Sequence, residues 1–559
     1  MPDTPQNEGA LAPPDQGAPA SRSATLARLA EQQFDILVIG GGITGAGVAR
    51  DAALRGLRVA LVEGADFASG TSSRSSRLVH GGVRYLEHGQ LHLVFEACRE
   101  RRILATIAPH LVRPLQFMWP VYEKARIRLW KLRAGLFLYD ALALGRNLGR
   151  HRMLTTHVVT ALEPDLRHMG LVGGASYFDA ATDDIRLTIA TVLSARDAGA
   201  MVANHVSVHD LLMTNEGVCG ARAVDLRTGV DLEIRARVVV NAAGPWSDAI
   251  RRMAEPQARR AVRGTKGVHV AVPHERIRNN GALTLLSPID GRVMFVIPNG
   301  AFSIIGTTDT DYDGRPERVR ATPADITYLL RSANAFFPGA HLTPSDVVAA
   351  WAGIRPLVAT NDKDPDAASR EHSITWTVPG LLTVTGGKLT TYRAMAADVM
   401  DTIARRLRIK HRRAPTHKRS LPGGAIASME DELAMARATV GAPDIAEHLV
   451  HAYGTQWREL WQMASLDRAL AERLIPALPY IAAELEWGAT REMARTLGDL
   501  LIRRLHVAYE TRDHGLAIAP AVVERLAPVL AWNAEDELQS YRREIEELFG
   551  MAETQAAGT

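Results

Sequence analysis

Two periodicities divide this sequence. Up to about residue 410, short apolar runs alternate with helical patterns; beyond residue 424 only the helical pattern continues. The densest alternation is FDILVIGGGITGAGVARDAALRGLRVALVE, residues 34–63. Residues 34–39 are apolar and β-branched, as a strand buried on both faces is. From 43 to 55 small and apolar residues recur at helical spacing, and Gly56 ends the run. Residues 57–62 repeat the buried-strand pattern.

The remaining elements follow from the same reading. Residues 1 to about 26 scatter Pro2, Pro5, Pro13, Pro14 and Pro19 among Ala, Gly, Ser and Gln, so a disordered tail is expected, bounded at residue 32. Residues 92–108 form a helix. YFDAATDDI, 177–185, places short acids where they can cap a helix over 186–198. Strands and turns fill 202–240. A second strand-rich stretch, 263–310, reads as an antiparallel sheet. Residues 323–336 are helical, with Thr322 as cap and Pro323 at the first helical position. Residues 381–407 repeat the order strand, glycine turn, helix. HRRAPTHKRSLPGG, 411–424, is a basic, Pro- and Gly-rich linker. Helical patterns then occupy 428–438, 444–453, 457–463, 476–486, 492–505, 520–530 and 535–548.

The fold class expected is therefore α/β followed by α. A Rossmann-like domain over 33–409 is interleaved with an antiparallel-sheet substrate domain, mainly 84–175 and 263–350. A linker at 410–424 leads to an α-helical C-terminal domain at 425–550. A length of 559 residues exceeds one core, which agrees with this division. The net charge of +3 excludes a molecule-wide polyanion binder, and no nucleic-acid partner is expected. Two cysteines, Cys98 and Cys219, make no disulfide framework and fit a reducing cytosol. No apolar run reaches the roughly 18 residues of a membrane span. The first stretch lacks the apolar segment of a secretory signal.

Chemistry enters at the glycines. Gly40, Gly42 and Gly45 give G-x-G-x-x-G between a strand and a helix, with Gly41, Ile43 and Thr44 between them. That turn lets the backbone approach a pyrophosphate, and the helix N–H groups face the anion. Glu63 ends the second strand, where a carboxylate can accept from ribose hydroxyls. Alone, this unit does not separate NAD from FAD. The second glycine turn, Gly386-Gly387-Lys388, supplies another helix start, and two such turns favour FAD.

DFASGTSSRSSRLVHGGVRYLEHGQ, 66–90, crowds Arg74, Arg77, His80, Arg84 and Tyr85 around Gly81 and Gly82. This composition suits either a polar surface loop or a site for phosphates and a small polar substrate. Residues 124–152 carry eight Lys/Arg against one acid, Asp140, interleaved with Trp130, Phe137 and Tyr139. They fit either a helix packed by its apolar face or an amphipathic contact with an anionic membrane surface.

Six segments occur together and in order: IGGGITGAGVARDAALRG, TSSRSSRLVHGGVRYLE, NAAGPW, VIP…FSIIGTTDT, GIRPL and TGGKLTTYR. With them the chain resembles the FAD-dependent, aerobic, quinone-linked glycerol-3-phosphate dehydrogenases of the D-amino-acid-oxidase-like superfamily. The resemblance covers about 34–407, and the helical tail is similar to that family's C-terminal domain. Arg77 stands where the family often has lysine.

The resemblance implies non-covalent FAD. Gly40–Gly45 and Glu63 would hold its ADP half; Thr71, Ser72, Ser73, Ser75 and Ser76 its pyrophosphate and ribityl region. His80, Gly81 and Gly82 would also be near it. Ala243, Gly244 and Trp246 would lie near the adenine side. Gly386, Gly387, Lys388, Leu389 and Thr390 would lie near the isoalloxazine. It implies oxidation of sn-glycerol 3-phosphate to dihydroxyacetone phosphate by hydride transfer from C2 to flavin N5. It further implies delivery of electrons to a membrane quinone, with the protein cytoplasmic and peripheral on an anionic inner-membrane surface. A homodimer is also expected.

A phosphate ester with nearly two negative charges needs cations. Arg84, Arg355, Arg370 and Lys388 are the candidates, with Tyr85, Thr307, Thr308 and Asp309 positioning the substrate. His80 is the candidate base for the C2 hydroxyl, or else it orients the flavin. Two alternatives remain at this stage: a soluble oxidase using oxygen, and a flavin-binding regulatory or RNA-associated protein.

Overall fold

The computed structural model of the protein describes residues 21–359, 372–409 and 414–550. At the centre of its first sheet lies Gln33–Ile39. This strand runs parallel to Val59–Val62 on one side and to Asp231–Asn241 on the other. Met201–Ala203 extends the first side and Leu381–Gly386 the second, both parallel. Strand order thus reverses at Gln33–Ile39, and a crevice opens at the carboxyl ends of its two neighbours. His372–Val378 and the hairpin Val206–Thr214/Gly217–Asp225 complete the sheet in antiparallel fashion.

Three helices, Ile43–Leu54, Asp184–Asp197 and Tyr392–Leu407, bury one face of this sheet around Val48, Val192, Val240 and Ile403. The other face is covered in part by Arg22–Glu31, with Leu26 and Leu29 in the core. That helix corrects the disordered tail expected up to residue 32. Ser21 accepts a hydrogen bond from the Ala24 N–H as its cap, and Arg22 pairs with Asp225 at 2.5 Å. The proline pattern of residues 1–20 lies outside the described residues. Asp183 caps Asp184–Asp197 by accepting from the Arg186 N–H at 2.9 Å, as the acids at 177–185 predict.

Among the described residues the second sheet has ten strands. Val262–Pro273 pairs antiparallel with Ala349–Val358 and with Phe302–Gly306; Val293–Asn299 and Ala282–Leu286 follow. Val112–Tyr122 and Leu171–Thr182 form the other half. The halves meet in a parallel pair, Ala282 opposite Phe117 and Leu283 opposite Met118. The sheet is therefore mixed rather than purely antiparallel, because its halves are joined by a long crossover that leaves the strand direction free. Thr322 and Asp325 form a capping box on Pro323–Asn334.

Within 124–152 the helix is Leu129–Leu142. Leu132, Leu136 and Tyr139 pack inward, while Trp130 is 71% and Phe137 69% exposed. The helix therefore has a packed face and a separate exposed apolar face, flanked by the exposed Arg126 and Lys131. Among the described residues no helix is long and apolar enough to cross a membrane.

Residues 414–424 are pinned rather than free. Arg50, buried, donates to the carbonyls of Thr416 and Arg419, and the Leu421 N–H bonds Ile107 O at 2.9 Å. Among the described residues the C-terminal α-helices are Met429–Val440, Pro443–Tyr453, Trp457–Leu466, Ala482–Thr490, Val507–Glu510, Ala519–Leu530 and Ala534–Phe549. The helical patterns at 476–486 and 492–505 are only partly realised. The first begins at Ala482, and the second shrinks to a π-helix, Asp499–Arg504. One hydrophobic cluster unites this region with the α/β part: Ala68, Ile189 and Trp351 pack with Leu497, Leu501 and Tyr509.

Candidate active site

A cleft of about 680 Å³ runs from the first glycine turn to the second. At one end Gly40, Gly42, Ile43, Thr44 and Glu63 form the wall. Gly40 has φ +111° and faces Ala242 O, which an added Cβ would approach to 2.6 Å. Gly45 does not line the cleft; its missing side chain lets the helix close onto Gly40 O. Gly42 is the N-cap of Ile43–Leu54 and supplies no capping side chain, so the helix amides face the cleft. Glu63 Oε2 accepts from the Gly41 N–H at 2.7 Å and Oε1 from the Ala65 N–H at 2.9 Å. Burial raises the Glu63 pKa, and those two N–H groups oppose the rise. Each oxygen keeps a further lone pair for a hydroxyl donor.

The serine-rich turn crosses the middle of the cleft. Ser72 Oγ accepts from the Ile43 N–H at 2.9 Å, tying the turn to the helix start. Thr71 Oγ1 donates to Ile354 O at 2.6 Å, beside Arg355. Ser75 and Ser76 also line the cleft, whereas Ser73 is buried and donates to Gly70 O at 3.1 Å. Ala243, Gly244 and Trp246 form the wall after Asp231–Asn241. Arg74 lines the cleft as well. Arg77 does not: its guanidinium lies 5.7 Å from the Trp351 ring and 5.4 Å from the Tyr509 ring. Of the segment's residues, Arg77, whose φ is 54°, thus faces aromatic rings, one of them on the C-terminal helical region, rather than the cleft.

At the far end stand Gly386, Gly387, Lys388, Leu389 and Thr390. Gly386 and Gly387 both have positive φ, which makes the sharp turn into the following helix. Thr390 Oγ1 accepts from the His80 N–H and donates to the His80 carbonyl, each at 3.2 Å. His80 lines the cleft, and its ring centroid lies 6.4 Å from that of Tyr85. Lys388 Nζ sits 4.0 Å above the Tyr85 ring. Gly81 lies behind the wall, donating its N–H to Asp179 at 2.8 Å.

Here a second cavity of about 300 Å³ opens. It shares Ser76, Leu78, His80, Tyr85 and Arg355 with the first and adds Gly82, Thr307, Asp309 and Arg292. Arg355 donates to Asp309 at 3.0 Å, to Thr307 Oγ1 at 3.0 Å and to Thr308 O at 3.2 Å. Thr308 does not line either cavity; its Oγ1 accepts from the Val268 N–H. The Arg84 backbone belongs to the turn Val83–His88, but its side chain lies outside the described ones. Arg370 lies outside the described residues.

Among the lining residues not picked out in the sequence are Gly267, His269 and Arg292. Opposite residues of an antiparallel pair share a face, and Thr265, Gly267 and His269 lie opposite Arg355, Gly353 and Trp351. Period-two spacing from Arg355 would have found the first two. A Cβ at Gly267 would collide with the Arg355 guanidinium. His269 Nε2 lies 2.9 Å from Ser76 Oγ. Burial, with Arg355 and Arg77 nearby, lowers the His269 pKa to about 3, so the ring is neutral near pH 7. Arg292 donates to the Asp309 carbonyl.

An elongated glycine-walled cleft with a helix start at each end, a ribose-facing carboxylate and a wide chamber at one end fits FAD. Residues 35–396 match the family model described as FAD dependent oxidoreductase, and the chain is of that class. Residues 414–537 match the C-terminal domain of alpha-glycerophosphate oxidase. Glycerol-3-phosphate dehydrogenase 2 of Mycobacterium tuberculosis is 40% identical over 537 residues, 94% of this chain and 91% of that one. Aerobic glycerol-3-phosphate dehydrogenase of Staphylococcus saprophyticus is 35% identical over 539 residues, 94% and 96%. The glycerol-3-phosphate dehydrogenase of Bacillus halodurans, solved in complex with FAD, matches with a TM-score of 0.79 at 31% identity, covering 94% of this chain and 97% of that one. The chain belongs to the FAD-dependent glycerol-3-phosphate dehydrogenase family, and FAD is its cofactor.

Proposed function

We propose that this chain oxidises sn-glycerol 3-phosphate to dihydroxyacetone phosphate and passes the electrons to a membrane quinone. The observation that carries the reading is Arg355, fixed by Asp309 and Thr307 where the two cavities join. Bound FAD supplies the acceptor, N5, for the hydride leaving the substrate C2. Gly40, Gly42, Ile43, Thr44, Glu63, Thr71, Ser72, Ser75 and Ser76 would hold its ADP and pyrophosphate parts. Lys388 and Thr390, at the far end of the cleft, would stand by its ring.

Arg355 and Lys388 balance the substrate phosphate, with Arg84 and Arg370 as further cations. Thr307, Asp309 and Tyr85 orient the hydroxyls. A base takes the C2 hydroxyl proton while the C–H bond delivers its electron pair. His80 is that base in this reading, its backbone fixed on both sides by Thr390. His269, kept neutral, is the second imidazole available.

The quinone as acceptor is supported by the exposed apolar face of Leu129–Leu142 with its flanking cations, which suits a peripheral seat on an anionic inner-membrane surface. The deciding experiment is anaerobic mixing with glycerol 3-phosphate while the flavin absorbance is followed. Bleaching is expected, and its absence would overturn the substrate. Peroxide release, with little reduction of a quinone analogue, would reassign the acceptor to oxygen.

A further inference from the structure

The stretch that leaves Glu63 and enters the serine turn contains one fully buried charge, Asp66. None of its partners on the next 130 residues accounts for it. Asp66 Oδ2 accepts from Arg503 Nε at 2.8 Å and Arg504 Nη1 at 2.6 Å; Oδ1 accepts from Arg504 Nη2 at 3.1 Å and Asn204 Nδ2 at 2.8 Å. Both arginines come from the C-terminal helical region and are buried. Consecutive residues of an α-helix point about 100° apart, so two neighbours rarely reach one carboxylate. Here the turn is π: the Leu505 N–H bonds Leu500 O, five residues back, at 2.8 Å. Wide turns of this kind recur at functional sites.

Two further ties run in parallel. His205 donates its backbone N–H to Ala65 O at 2.7 Å, while its ring meets Asp499 at 2.9 Å on the same π turn. Downstream, Arg77 faces the Tyr509 ring, and His506 binds Asp183 at 2.6 Å. Asp184, next in the chain, accepts from the Ser75 N–H at 3.1 Å. The segment 63–77 therefore meets the cofactor cleft on one side and residues 499–509 on the other. None of residues 499–509 lines the cleft.

We propose that the C-terminal helical region is a clamp on the cofactor segment: residues 499–509 hold 63–77, through Asp66 and Arg77, in the form that binds FAD. Docking of the π turn and binding of FAD are then coupled, and coupling is reciprocal. FAD must protect residues 499–509 although it does not touch them, and loosening the clamp must weaken FAD.

The test uses the full chain, with FAD and after its removal, and reads amide hydrogen exchange across 499–509 together with the FAD dissociation constant. Exchange at 499–509 is expected to slow on adding FAD. Arg504→Lys, which keeps the charge but loses the fork, is expected to weaken FAD at least about ten-fold and to abolish most of that protection. Should Arg504→Lys fail to fold, Tyr509→Leu, which removes the ring facing Arg77, carries the same expectation with a smaller loss. Exchange at 499–509 that is indifferent to FAD, or a folded variant that binds FAD as tightly as the parent, would overturn the clamp. A merely structural contact would lower thermal stability without making exchange at 499–509 depend on FAD.

Discussion

Asp309 accepts a hydrogen bond from the Arg355 guanidinium at 3.0 Å; Arg355 lines both cavities and Asp309 the smaller one. A carboxylate beside an anion-binding arginine fixes its direction at the cost of part of its charge. Asp309→Asn keeps the shape and removes the charge. We expect its KM to change by less than that of Arg355→Ala. Loss of a hydrogen bond to a charged group is worth about 1.5–3 kcal/mol, so Arg355→Ala should raise KM about ten- to one-hundred-fold. An unchanged kcat/KM in that variant would remove Arg355 from the site.

Gly267 controls the same guanidinium by having no side chain. Gly267→Ala is expected to displace Arg355 and to raise KM toward the value of Arg355→Ala. The flavin content, read from the absorbance of the purified protein, should stay that of the parent. A Gly267→Ala enzyme with parental KM would mean that Arg355 moves aside without loss.

The exposed face of Leu129–Leu142 separates membrane contact from folding. Trp130 and Phe137 touch little of the protein, so Trp130→Glu with Phe137→Glu should leave thermal stability within about 0.5 kcal/mol. Cosedimentation with vesicles containing anionic lipid should fall sharply and that with neutral vesicles should remain low. Full retention on anionic vesicles would place the contact elsewhere.

Acid should weaken the fold through buried imidazoles. Burial, with Arg186 and His451 nearby, lowers the His110 pKa to about 3, and burial with Arg113 does the same to His451. Each folded pKa lies below the unfolded value of about 6.5. Their contribution is therefore complete above pH 6.5 and is lost as pH falls toward 3. His448 runs the other way: burial opposes its charge, but Glu484 raises its pKa, so its contribution is complete below 6.5 and fades at higher pH. Denaturant midpoints at pH 7 and 5 should show that His110→Gln flattens the parent's acid slope, by at most about 1.4 kcal/mol per pH unit. An identical slope would show that folding does not lower the His110 pKa.

What the sequence disclosed depended on how far apart the cooperating residues lie. Gly40 to Glu63 is one local unit, and its strand, turn and helix form where the pattern places them. The Gly386 turn was legible for the same reason. Arg22–Glu31 was not, because its two buried leucines sit beyond a proline-rich run that masks them. Asp66 reads as an ordinary loop acid; its meaning lies in Arg503 and Arg504, more than 400 residues away. The π turn leaves no periodic trace, since one wide turn is shorter than any window that would detect it. His269 was hidden inside a run read only as strand.

The cleft joins Gly42, on the first strand–helix turn, to Lys388, on the last one of the α/β part. At about 5–20 residues per second, the ribosome needs roughly 17 to 70 s to bring the second into existence after the first. For that interval the first turn has no far wall, and Asp66 waits longer still for its arginines. A chain released before that second turn thus emerges without a complete cleft, so flavin colour in this protein doubles as a record that synthesis passed Lys388.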